Sequence, residues 1–395
     1  MILNLRNIKA QYRVFNNVNN VISPKDELTA LLTLTKIKGL RLAEVKYLFD
    51  QVKSASDIFR YHDKLANLIS GISPRLSKAL DDPGSLLSAE KEIAFINDNG
   101  IKCLTITDND YPERLKECED APLVLFYLGN ANLNATKVVS IVGSRKATDY
   151  GKEVCQNFIR DLSSLFPDIL IVSGLAYGID VEAHKSSLNN NLNTVGVLAH
   201  GLDTIYPTNN RRVAKEMVLN GGLVTEFMSE TVPYKMNFVR RNRIVAGLSD
   251  AIIVIESAKH GGSLITAELA EGYNRDCFAF PGNIFSLSSE GCNYLIRDNK
   301  ASLITSALDL AKLMNWETER KNSAEQDTQT SIIFYLSDEE EKILCYLRHF
   351  PQGSSINTMV AELDIPAGKL SSLLIEMEIK GFIISLSGSL YKAKV

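Results

Sequence analysis

Six short apolar runs, Val138 to Val142, Ile169 to Ser173, Val195 to Ala199, Leu223 to Thr225, Ala251 to Ile255 and Cys277 to Phe280, recur with a helix-length segment between most of them. Apolar runs of strand length that do not alternate with polar residues suit strands covered on both faces. Strands joined through helices run parallel and cross over with a right hand. The chain is therefore expected to be α/β, with an extended Rossmann-like, doubly wound, mostly parallel sheet. Such a sheet takes its ligand beyond the carboxyl ends of the strands, where backbone N–H groups at helix starts can hold an anion.

Small-residue turns stand at those ends. Gly143-Ser144-Arg145-Lys146 follows Val142, Ser173-Gly174-Leu175-Ala176-Tyr177-Gly178-Ile179-Asp180 follows Val172, and His200-Gly201-Leu202-Asp203 follows Leu198. The stretch from Asn237 to Ala267 brings Arg240, Arg241 and Arg243 ahead of a strand, a Gly261-Gly262 turn and a helix-like segment. A guanidinium can bind two phosphodiester oxygens at once, so a phosphate-bearing ligand is the first expectation. Neither GxGxxG nor GxxxxGK[ST] occurs, which removes sequence support for NAD or ATP, and no cofactor is expected. Together the turns suggest a shallow trough, charged by Arg145, Lys185, Arg240, Arg241 and Arg243, better suited to an extended strand than to a compact nucleotide. The plainer alternative is a solvated arginine run with glycines as ordinary punctuation.

Candidate catalytic groups are weaker. Asp180 and His184 lie four apart on one helix face, yet an Asp at a helix start more often caps it, and no nucleophile elbow accompanies the pair. Glu256 and Glu268 lack a second carboxylate at a known spacing. Tyr206-Pro207 reads as a turn, with base stacking by the ring as a second possibility.

At 395 residues, 45% hydrophobic and 23% charged, the chain has room for two or three globular domains. A formal net charge of -4 argues against a protein that coats polyanions over its whole surface, so any nucleic-acid site must be a local patch. The six cysteines are scattered without a CxxC pair, which disfavours a disulfide framework or zinc site. The N-terminus has no signal-peptide layout and no apolar run approaches a membrane span, so a cytoplasmic protein without membrane contact is expected.

Residues 1–22 look like a polar lead, and 23–100 like a helical module of the SAM-like or helix-hairpin-helix type, broken at Lys38-Gly39. Strands at Ile101 to Ile106 and Ala121 to Asn130 open a sheet domain spanning 101–316. Residues 317–331 form a polar linker, and 332–395 show three helices and a hairpin around Ser387-Gly388, the order of a winged helix. Its third helix sets Lys369 and Lys380 against Glu376 and Glu378, which favours protein contact over reading of duplex DNA.

GSRKATDYG, SGLAYGIDVEAHKSSL, HGLDTIYPTNN, FVRRNRIVAGLSD, GGSLITAELA, FPGN and SSEGCNYLIRD, with DNDYPERL and DAPLVLFYLGN upstream, occur in the order and spacing of one family. From about Leu28 onward the chain resembles the DprA (Smf) family, DNA-processing proteins of natural transformation. The resemblance implies a SAM-like module, an extended Rossmann-like domain and a winged helix. It also implies binding and protection of incoming single-stranded DNA, loading of RecA onto that DNA, and homodimerisation. Single-strand-binding protein is a further implied partner, and no catalysis is expected. Arg145 matches the family's G-[ST]-R turn, His184 and Lys185 its AH motif, Arg241, Asn242 and Arg243 its RNR motif, and Gly262 and Ser263 its GS turn. Val239, Gly261, Asn274 and Asn299 depart from common family residues. The expected DNA-binding set is Gly143, Ser144, Arg145, Lys146, Gly174, Lys185, Arg240, Arg241, Asn242, Arg243, Gly262 and Ser263, with no catalytic or metal site. Self-association is also consistent with apolar positions between Ile265 and Leu269. The competing enzyme reading is a Rossmann-like nucleotide phosphoribohydrolase, whose PGGxGTxxE signature is only partly met by His260-Gly261-Gly262-Ser263-Leu264-Ile265-Thr266. A third alternative is a transcription regulator acting through the winged helix.

Overall fold

The computed structural model describes residues 26–37, 40–65, 69, 79–317, 337–350, 353–380, 382–386 and 390–393. The lead 1–22, the Lys38-Gly39 break, residues 318–331 of the expected linker and the Ser387-Gly388 turn lie outside the described residues. The chain divides into two compact units, Met1–Glu319 and Arg320–Val395.

The first unit is built on β1 (Lys102–Thr105), β2 (Val124–Gly129), β3 (Val138–Val142), β4 (Leu170–Ser173), β5 (Thr194–Val197), β6 (Gly221–Thr225), β7 (Ala251–Val254), β8 (Asp276–Ala279) and β9 (Ser302–Leu303). Their order is β1-β2-β6-β5-β4-β3-β7-β8-β9. From β6 to β9 all neighbours are parallel, while β2 joins β6 and β1 joins β2 antiparallel. The chain lays strands outward from β3 toward β6, then returns to place β7 on its other side. The order therefore reverses between β3 and β7, which is where a doubly wound sheet opens a crevice at its carboxyl ends.

In the N-terminal helical module, α1 (Glu27–Lys36), α2 (Leu42–Val52), α3 (Ala55–Arg60) and α4 (Pro83–Asp98) share one core with Leu123, Val124 and Phe126 of the β2 segment. Asp26 caps α1 by accepting from Thr29 N at 2.7 Å. The Glu92 carboxylate of α4 accepts from Ser229 N at 3.0 Å and ties this module to the loop after β6.

The remaining helices are α5 (Glu113–Lys116), α6 (Asp149–Leu165), α7 (Ile179–Asn189), α8 (Arg211–Leu219), α9 (Lys235–Gly247), α10 (Gly262–Gly272), α11 (Glu290–Arg297) and α12 (Ala307–Leu313). The pleat of β3 divides its side chains between two layers. Val138 and Val142 join Val172, Ile252 and Val254 against Ile244 and Val245 of α9 and Ala267 and Ala270 of α10. Val139 and Ile141 join Ile171 and Ile253 against Phe158, Ile159 and Leu162 of α6 and Leu310 of α12. Ser140 is fully buried between them, and its Oγ donates to the Val245 carbonyl at 2.7 Å, which satisfies the hydroxyl and anchors α9.

The second unit consists of α13 (Asp338–Arg348), β10 (Ser354–Ser355), α14 (Ile356–Leu363), α15 (Ala367–Ile379), β11 (Ile383–Leu386) and β12 (Leu390–Ala393). The strands pair antiparallel as β10-β12-β11 over a core including Ile343, Leu347, Met359, Leu370 and Leu374. Lys369 pairs with Glu339 at 2.6 Å, and Lys380 with Glu340 at 2.8 Å and Glu376 at 2.7 Å. No described helix is long and apolar enough to cross a membrane.

Candidate nucleic-acid interface

The carboxyl ends of β3, β4 and β7, the start of α10 and one side of α9 enclose an open cleft of about 850 Å3 at the switch point. Nine of the twelve residues singled out in the sequence line it: Gly143, Ser144, Arg145, Lys146, Gly174, Arg241, Asn242, Gly262 and Ser263. Lys185 is exposed on α7, and Arg240 and Arg243 lie on α9, but these three are not part of the lining.

The arginines expected to charge the trough, Arg240, Arg241 and Arg243, meet different surroundings along α9. Successive residues turn by about 100° around a helix, so Arg241 leaves toward the strand ends while Arg240 and Arg243, one turn apart, both reach Glu226. Arg240 is exposed, with its guanidinium 5.3 Å above the Phe227 ring and 3.5 Å from Glu226. Arg241 is buried, and its Nη1 donates to the Gly174 and Val197 carbonyls, each at 2.5 Å, tying together the ends of β4 and β5. Arg243 is also buried, donating to Glu226 at 2.5 Å and to the Asp120 carbonyl. Arg243 does not line the cleft, and Arg241 forms cleft floor with its Nη1 spent on two backbone carbonyls while its buried Nε has no partner among the described residues.

The glycines separate in the same way. A Cβ on Gly174 would fall on the Arg241 guanidinium, and one on Gly143 would lie 2.6 Å from Cγ1 of Ile179. Both positions are bare to make room for protein atoms. Gly262 differs, because a Cβ there would meet nothing within 4 Å.

Asp180 and His184 do not form an acid-base pair. Asp180 accepts from Ala176 N at 3.4 Å, and burial raises its pKa above the usual carboxylate value against the opposing pull of Arg241. His184 is fully buried with Nδ1 2.7 Å from the Thr194 hydroxyl, which itself donates to the Ile171 carbonyl at 3.1 Å. Burial first, and the Arg241 charge second, push its pKa down to about 3. Burial likewise lowers Arg241 to about 10, partly offset by Asp180. Glu256 accepts from Thr148 N at 2.9 Å and from Thr148 Oγ1 at 2.7 Å, bracing the start of α6. Glu268 is on the surface, 4.0 Å from Lys300.

What remains open to a ligand is a set of rim groups. Arg145, Lys146 and Lys235 are exposed, and among the described residues none of the three is in an ion pair. The Arg145 guanidinium sits 5.2 Å from the Phe238 ring centre, and Phe238 meets the half-exposed Tyr206 ring edge-on at 5.8 Å. The eleven-residue α10 starts at Gly262 behind Gly261, with no side chain capping it, so its first N–H groups and the positive end of its dipole face the cleft. Exposed cations, an open helix start and two aromatic rings thus line one groove. Sequence reasoning passed over Lys235 and Phe238 and ranked Tyr206 as a turn residue. The interleaving of Tyr234, Lys235, Phe238 and Arg240 was the available signal.

Residues 102–315 match the family model described as DNA recombination-mediator protein A, and 323–389 match the DprA winged helix domain. The chain is 42% identical over 207 residues to the DNA processing protein DprA of Streptococcus pneumoniae, spanning 52% of this chain and 72% of that one. It is 36% identical over 262 residues to the DNA processing protein DprA of Bacillus subtilis, spanning 66% and 80%. The X-ray structure of DprA from Streptococcus pneumoniae superposes with a TM-score of 0.54 at 32% identity, covering 69% of this chain and 98% of that one.

Proposed function

The chain belongs to the DNA recombination-mediator protein A family, and from that premise we propose that it binds single-stranded DNA in the switch-point cleft and passes it to a RecA-type recombinase during transformation. One observation carries the reading: unpaired Arg145, Lys146 and Lys235 surround the open α10 start beside the Phe238 and Tyr206 rings. Arg145 and Lys146 attract the backbone, the α10 N–H groups receive a phosphate, and the rings stack on bases that a duplex keeps covered. Binding of this kind reads charge and base faces, so sequence preference is weak.

The protein protects the strand and acts without turnover, as a homodimer that receives DNA beside single-strand-binding protein. The residues that invited a hydrolase reading support this assignment, since Glu256 braces α6, His184 is buried away from the cleft, and Asp180, though at the cleft wall, is not hydrogen-bonded to His184.

Reversing Arg145 and Lys146 to Glu is expected to weaken single-strand binding and to reduce the salt slope by about 0.7 for each phosphate that is no longer neutralised. Fluorescence anisotropy over a salt series measures both, and an unchanged affinity would remove the cleft from the account. The delivery step is tested by following recombinase filament growth on a strand coated with single-strand-binding protein. Growth no faster with the protein present would defeat that step, as would ATP consumption by the protein alone.

A further inference from the structure

The loop between β8 and α11 presents the most exposed aromatic ring of the described residues: Phe285 is 89% exposed, flanked by Ile284 at 77% and Leu287 at 73%. Its base is nonetheless held. Pro281 accepts from the Tyr150 hydroxyl at 2.7 Å, Gly282 and Asn293 exchange hydrogen bonds at 3.2 and 3.0 Å, and the Asn283 side chain accepts from Phe285 N at 2.8 Å. A pinned loop that still turns its apolar tip to solvent is a binding surface in search of an apolar face.

Its position suggests which face. Ser144 N in the β3 turn donates to the Glu256 carbonyl at 2.7 Å, and Gly291 N in the first turn of α11 donates to the Ser257 carbonyl at 2.8 Å. The β3 turn, the β7 loop and the start of α11 are thus hydrogen-bonded in series from the cleft, and the loop carrying Phe285 leads directly into α11. Between them Lys259 and His260 are exposed on the β7 loop, and a hollow of about 450 Å3 opens between Tyr150, Glu256 and the Pro281–Ser289 segment. Residues 281–289 carry no charged side chain, so nothing on the loop repels a phosphate.

We infer that Phe285, supported by Ile284 and Leu287, is a second stacking platform that takes nucleotides of the same single strand where it leaves the cleft. The inference rests on the single-strand reading of the cleft. It adds a direction: the strand crosses the carboxyl edge from β4 and β3 over β7 toward β8. The cleft alone serves a short oligonucleotide, and only a longer strand reaches Phe285.

The test compares oligothymidylates of about five and about twenty nucleotides on the full chain, wild type against Phe285→Ala and Phe285→Trp. Wild type and Phe285→Ala are expected to bind the short strand equally. The long strand should bind Phe285→Ala roughly 5- to 100-fold more weakly than wild type, with Phe285→Trp restoring affinity. Because Trp316 is the chain's one native tryptophan, the Phe285→Trp signal is expected to be quenched by the long strand and not by the short one. Equal long-strand affinity in Phe285→Ala overturns the inference while leaving the cleft reading intact. So does a variant that changes only the sedimenting mass, which would make the loop a contact between copies of the chain. If wild type binds neither length, the cleft reading and this inference fall together.

Discussion

Arg240, Arg241 and Arg243 show how much a residue's role depends on the direction in which a helix points it. Arg243 and Glu226 have side chains only 8% and 7% exposed, so removing the arginine leaves a buried carboxylate short of its partner. Arg243→Ala is expected to cost about 3–5 kcal/mol of stability, against no more than about 0.5 kcal/mol for exposed Arg145→Ala, while only Arg145→Ala weakens DNA binding directly. Denaturant melts beside anisotropy titrations separate the two effects, and equal melts would contradict the burial assignment. His184 gives a pH signature. Its folded pKa of about 3 lies below the ordinary 6.5, so between these values the unfolded chain binds the extra proton and stability falls as pH falls. Asp180, with its pKa raised, works in the opposite sense by favouring the protonated native state at low pH. The comparison of wild type with His184→Asn isolates the histidine: the variant is expected to lose less stability between neutral pH and about pH 4. Identical pH profiles would show that His184 is not held neutral.

At the scale of elements, the start of α10 separates folding from binding. Gly262 has open space around it and stands at the positive end of the helix dipole. Gly262→Asp is expected to leave stability unchanged or slightly raised, yet to weaken single-strand binding by placing a carboxylate where a phosphate goes. Retained affinity with a folded variant would show that the helix start is not used. The strands were largely legible in the sequence, because burial on both faces leaves unbroken Val and Ile runs: β3 is Val138–Val142 as the sequence suggested, and β7 ends one residue early at Val254. The edge strand β9 was not anticipated, since Ser302 and Leu303 are both exposed and leave no apolar run. The turns around the cleft could be located from the sequence, but not the purpose of their glycines. Gly143 and Gly174 yield space to Ile179 and Arg241, neighbours brought in from different strands and helices that spacing along the chain does not reveal.

For the whole molecule, a net charge of -4 leaves the proposed DNA binding to local patches such as the cleft rim, so binding should fade steeply with salt. The second unit is expected to add little to it, since Lys369 and Lys380 of the α15 segment are already paired with Glu339, Glu340 and Glu376. A chain ending at Glu319 is expected to keep single-strand affinity within about twofold, and a larger loss in anisotropy would give the winged helix a direct DNA role. The central claim is that the cleft selects a strand whose base faces are free. The measurement that tests it most directly is competition: a labelled single strand bound to the full chain is challenged with unlabelled single-stranded or duplex DNA of the same length and sequence. The account expects the single strand to displace the label at a concentration at least about tenfold below that of duplex, with this preference lost in Phe238→Ala. Equal competition by duplex, or a preference untouched by removal of the ring, would contradict it.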